Sequence, residues 1–72
     1  MRTIMHGDRY ELKSYGNGMA YCLAELGKSL DDALFVQGDE ALDLMLDIER
    51  AEHTWPEAPV DDVLGRVLDW WR

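Results

Sequence analysis

Basic residues, cysteine and long apolar runs are scarce in this chain, and each scarcity excludes something. Seven Lys and Arg stand against 15 Asp and Glu, giving a net charge of -8. Direct binding to nucleic acid or to an anionic membrane is disfavoured, because both select basic faces. The one cysteine, Cys22, has no internal disulfide partner, and with only two histidines, His6 and His53, there is no Cys/His set at zinc-ligand spacing. The fold must stand without a staple, as in a reducing cytoplasm. No apolar run approaches bilayer-spanning length and no signal-type apolar region follows Arg2. A soluble cytoplasmic product is expected.

Catalytic signatures are missing too. There is no P-loop, dinucleotide fingerprint, nucleophile elbow or HExxH. Cys22 with His6 or His53 has the composition of a nucleophile and base, but no familiar local signature surrounds Cys22, and a buried structural cysteine is the expectation. A calcium loop needs alternating oxygen ligands around a central glycine, whereas Asp31-Asp32 and Asp39-Glu40 are separated by an apolar stretch. Neither metal nor cofactor is expected, and the chain reads as a binding protein rather than an enzyme.

What is present suits one folded domain over residues 1–72. Hydrophobic residues make up 47% of the chain, with three Trp and three Tyr, too apolar and aromatic for disorder. A domain this small buries only about 60% of its unfolded surface, which leaves little room for a cleft and points to an outer surface as the working part.

The order of elements reads as α+β: an antiparallel meander of three or four strands, then two amphipathic helices packed on one sheet face. A short strand at residues 3–5 turns at His6-Gly7-Asp8. Residues 9–15 alternate as a strand, and Gly16-Asn17-Gly18 favours a hairpin turn. Residues 19–25 read as the return strand, although Met19, Cys22, Leu23, Leu26 and Leu30 also sit at helical spacing. Residues 33–37 form a further strand closed by Gly38. From Asp39, a plausible N-cap, the period becomes 3.6, and Ala41, Leu44, Met45, Ile48 and Ala51 make the apolar stripe of a helix over 40–53. Pro56 and Pro59 mark the connection, and a second helix over 60–71 follows with the stripe Val60, Val63, Leu64, Val67, Leu68 and Trp71.

Charge is segregated along the chain. Residues 1–28 balance to +1, with three acids against four bases, whereas residues 29–72 carry twelve acids against three bases, a balance of -9. Glu40, Asp43 and Asp47 fall within about 60° of one another on the first helix, on a line separate from the core stripe. Like charges at that spacing repel mildly. The helix dipole and Arg50 offset part of that repulsion, so a solvated face and a binding face are both open readings. In the binding reading, carboxylates one turn apart are about 5 to 6 Å from each other, comparable with phosphates along a nucleic-acid strand, so the stripe fits a Lys/Arg groove built for DNA. Asp31, Asp32, Asp61 and Asp62 would extend that surface. Leu42 and Leu46, on the far side of the helix, and Trp70 belong where the two helices pack together, or else form an exposed patch with a Trp anchor.

In size, acidity, α+β order and absence of a catalytic motif, the chain resembles the small phage-encoded anti-CRISPR proteins, several families of which are acidic DNA mimics. These share no signature motif, so no functional residue carries over by position. The resemblance implies an inhibitor in the host-cell cytoplasm that occludes the basic DNA-binding or PAM-reading surface of a CRISPR effector complex. The other reading is an antitoxin or small regulatory subunit that binds a protein through Leu42, Leu46 and Trp70. A monomer is expected in preference to a homodimer.

Overall fold

A computed structural model describes residues 2–16 and 18–71. Four strands, β1 (Arg2–His6), β2 (Tyr10–Tyr15), β3 (Ala20–Glu25) and β4 (Leu34–Gln37), precede two helices, α1 (Asp39–Thr54) and α2 (Val60–Trp71). A 3-10 turn at Leu30–Asp32 lies between β3 and β4. The sheet is an antiparallel meander in the order β1-β2-β3-β4.

Residues 20–25 resolve the competition between helix and strand. Gly16 and Gly18 hold φ at 59° and 94°, values that glycine adopts without steric cost, and they reverse the chain. Asn17 lies outside the described residues. The returning strand then pairs on both sides, with Tyr15 opposite Ala20 and Tyr10 opposite Glu25 on β2, and with Ala20 opposite Gln37 on β4. A helix here would strip both neighbours of their backbone partners, a cost that outweighs the helix propensity of Ala, Leu and Glu. The helical stripe is accordingly broken up. Cys22 and Leu23 point to opposite faces, and Met19 and Leu26 are exposed.

Register assigns the faces. Met5, Leu12, Leu23 and Leu34 lie in one row across the strands, and Ser14, Tyr21 and Val36 in a second row on the same face. Between Thr3 and Met5 the β1 register shifts by a bulge at Ile4, which restores Met5 to that face. Both helices cover it, α1 over β4 and α2 over β2 and β1. The core joins Leu12, Leu23 and Val36 to Ala41, Leu44, Ile48 and Ala51 of α1 and to Val63, Leu64, Val67 and Leu68 of α2. The helix–sheet approach is close at Gly65, where an added Cβ would lie 3.1 Å from the Tyr10 ring.

The N-cap differs from expectation. Gly38, at φ 65°, is the residue that turns β4 into α1, and it offers no side-chain cap. Asp39 instead sits inside the first helical turn, where its charge favours the helix dipole without bonding a terminal N–H. The reason is steric, since the sharp exit from β4 needs a positive φ that aspartate adopts far less readily than glycine.

Candidate partner-binding surface

The acids expected to form one surface differ in exposure and in how the fold uses them. Glu40 and Asp43 are exposed on α1, Asp62 is exposed in the first turn of α2, and Asp31 and Asp32 are exposed in the 3-10 turn. Asp47 is only half-exposed. Its Oδ2 accepts a 2.9 Å hydrogen bond from Trp71 Nε1 of α2, and its Oδ1 lies 3.9 Å from the Arg50 guanidinium. The acidic arc of α1 therefore borders the helix–helix joint at Asp47 instead of standing clear of it.

Asp61 is more deeply committed. Its carboxylate accepts backbone N–H bonds from Asp8 at 3.0 Å and from Arg9 and Tyr10 at 2.9 Å each, so one side chain at the start of α2 clamps the whole β1–β2 turn. The Arg9 amide, followed by those of Tyr10 and Asp8, holds the carboxyl below its usual range, against a partial desolvation acting the other way. Gly7 permits the approach, because any Cβ there would collide with the Asp61 carboxylate. In the sequence, Asp61 and Asp62 look alike, as two acids in a first helical turn. Only tertiary structure separates the clamp from the solvated neighbour.

Leu42 and Leu46 do not pack between the helices. They are 64% and 41% exposed, because at 100° per residue they point away from the Ala41, Leu44, Ile48 and Ala51 stripe. Leu46 borders an open groove with Glu49, Arg50, His53 and Thr54. Trp70, 53% exposed, lies beside Trp55 with ring centroids 6.2 Å apart, and the Arg66 guanidinium sits 4.4 Å from the centre of the Trp55 ring. The exposed apolar residues of the helical layer are thus two leucines set among the acids of α1 and an aromatic ledge capped by an arginine.

One surface escaped sequence reading. The sheet face turned away from the helices carries Thr3, His6, Glu11, Lys13, Tyr15, Ala20, Cys22, Ala24, Phe35 and Gln37. Tyr15 and Phe35 meet edge to face at 5.9 Å, and Phe35 is 55% exposed. Met19, 74% exposed in the turn before β3, lines a shallow depression with Ala20, Gln37 and Gly38. Glu11 and Lys13 form an ion pair of 3.2 Å. Alternation in β2, β3 and β4 signals two faces, but it does not tell which one the helices leave open.

Cys22 is buried, as expected, but on this outer face and outside the main core. Burial pushes its thiol up, with Lys13 opposing and Glu11 adding to the effect, so the thiolate is not favoured. His6 is two strands away on β1 and His53 belongs to the helical layer, so neither histidine is placed as a base for the thiol. Among the described residues no group of three or more His, Cys, Asp or Glu is arranged to hold a metal ion. Among them, too, no helix is long and apolar enough to cross a membrane. Comparisons with protein-family models, with curated proteins and with solved structures give no match.

Proposed function

We propose that this protein is an acidic inhibitor of the anti-CRISPR type, occluding the basic DNA-binding or PAM-reading surface of a CRISPR effector complex with carboxylates that stand in for phosphates. The observation that carries this reading is the exposed pair Glu40 and Asp43, one helical turn apart on α1, in a half of the chain whose charge balance is -9. Asp31, Asp32 and Asp62 extend the negative surface, and Asp47 borders it through the carboxylate edge that Trp71 leaves. Asp61 takes no part, since its oxygens hold the β1–β2 turn. A surface of this sign accelerates encounter with a Lys/Arg groove and competes there with nucleic acid.

The test compares wild type with a Glu40→Gln and Asp43→Asn double variant, binding a CRISPR surveillance complex at low and high salt, with and without competing DNA. Asp47 stays in place because it anchors Trp71. The variant should fold normally and associate more slowly, with a flatter salt dependence. Equal affinity at low salt, or simultaneous occupancy by DNA, refutes the reading. A second reading, an antitoxin or regulatory subunit docking through Leu42, Leu46 and Trp70, is favoured by the exposure of those three side chains. It demands a complex whose affinity changes little with salt.

A further inference from the structure

We propose that the cavity at the C-terminal end of α1 is a binding site for a primary alkylammonium chain, the chemistry shared by a lysine side chain and a free aliphatic amine. The cavity holds about 160 Å³. Met5 of β1, Trp55 and Ala58 of the connection between the helices, and Val60 and Val63 of α2 make its apolar wall, and Glu52 of α1 is the charged residue in that lining. The wall is formed by the fold itself. Val63 belongs to the core cluster, and Met5, Trp55, Ala58 and Val60 pack against it. The Trp55 N–H donates to the Ala51 carbonyl at 2.9 Å and the Ala58 N–H to the Trp55 carbonyl at 3.1 Å, which fixes the backbone of the connection. Little ordering is left to oppose binding.

Charge selects the head group. Glu52 lies in the last turn of α1, where the macrodipole disfavours an acid, and the carbonyl end of the helix adds potential of the same sign. Its carboxylate has no hydrogen bond or ion pair to another described residue, since Arg50 lies towards Asp47 and Arg66 sits over the Trp55 ring. The fold gains nothing from an acid here. A cation on an apolar stem satisfies both the carboxylate and the wall, as lysine stems do along apolar surfaces. Arg66 works against a second cation beside Trp55, because its guanidinium is 4.4 Å from the ring centre. Trp55 therefore contributes apolar area, and Glu52 contributes the choice of charge.

Volume limits the ligand. A cavity of about 150 Å³ accommodates one benzene-sized molecule, whereas sites for larger organic ligands begin near about 300 Å³. The space thus takes a single short aliphatic chain and refuses a nucleotide. The site is separate from the acidic pair of α1. Glu40 and Asp43 precede Glu52 by twelve and nine residues. That spacing is at least about 13 Å along the helix, beyond the screening length at physiological salt.

The experiment titrates isotope-labelled protein with n-butylammonium at constant ionic strength and follows amide and indole shifts by NMR. Saturable shifts are expected at Trp55, Ala58 and Val63, with a dissociation constant on the order of millimolar for so small a ligand. The neutral n-butanol should bind several-fold more weakly, and butyrate more weakly still. Glu52→Gln should weaken n-butylammonium binding by about two- to fivefold, the range an exposed ion pair supports, and leave n-butanol binding unchanged. Its fold should be at least as stable as wild type, because the acid it removes opposes the helix dipole. Ala58→Leu fills the cavity and should abolish binding of both probes. Equal affinity for n-butylammonium, n-butanol and butyrate overturns the proposal. So does unchanged n-butylammonium affinity in Glu52→Gln, or shifts confined to residues away from the cavity. N-acetyl-lysine methylamide separates the two sources: binding comparable to n-butylammonium assigns a lysine side chain of a partner, and binding of n-butylammonium alone assigns a free amine. The Glu40→Gln and Asp43→Asn double variant should bind n-butylammonium as wild type does, so this site and the acidic-surface reading fail separately.

Discussion

Replacing Leu64 by alanine tests the packing that everything else relies on. Leu64 is 0% exposed and belongs to the core cluster that also holds the sheet residues Leu12 and Leu23 and the α1 residues Leu44 and Ile48. Truncation removes buried methyl groups and leaves a cavity that tight surroundings fill only in part, a combined loss of about 2 to 5 kcal/mol. At roughly 0.05 to 0.15 kcal/mol per residue, a domain of this length has about 4 to 11 kcal/mol in total. The variant should therefore lose a large fraction of its stability. In a domain this small each kcal/mol moves the thermal midpoint by about 4 to 8 °C, so the drop should be at least about 8 °C. The assay is thermal and urea unfolding followed by circular dichroism, with Leu46→Ala as the matched control. Leu46 is 41% exposed on α1, and its truncation should change stability by no more than about 0.5 kcal/mol. An unchanged midpoint for Leu64→Ala, or an equal loss for Leu46→Ala, would falsify the assignment of inner and outer helix faces.

The clamp at Asp61 and the buried thiol give two further tests. The Asp61 carboxyl has a depressed folded-state pKa, so its contribution is fully present above the unfolded value of about 4 and is lost as pH falls through the lower folded value. Asp61→Asn should thus be less stable than wild type at neutral pH, with the gap narrowing below about pH 4; a gap that stays constant down to pH 2 refutes the clamp. Cys22 should react with iodoacetamide far more slowly in the native protein than in urea, and faster as pH rises, because burial holds its thiol protonated. Equal native and unfolded rates at neutral pH would show that the thiol is open.

Residues differ in how far their place could be read from sequence, and the difference is physical. The bounds of α2 were legible because Pro59 limits the preceding conformation and the 3.6-residue stripe from Val60 to Trp71 is unbroken. β3 was ambiguous because its residues favour a helix locally while pairing with β2 and β4 supplies the deciding energy, and pairing partners are distant in sequence. Asp61 looked like any acid in a first helical turn, since the turn it clamps lies 51 to 53 residues away. Leu42 and Leu46 invited a packing role by composition, but their angular position on α1 places them opposite the core.

Segregated charge also has a basis in folding. Acids crowded onto α1, the 3-10 turn and α2 repel each other, but most of those positions are exposed and several are favoured by helix N-termini, so the fold tolerates them. The same acids placed on the open sheet face would sit opposite one another across neighbouring strands, where like charges destabilise pairing directly. Sheet pairing thus keeps that face nearly neutral for reasons of folding alone, with Glu11 and Lys13 matched on β2. The consequence is a molecule with one charged side and one neutral apolar side.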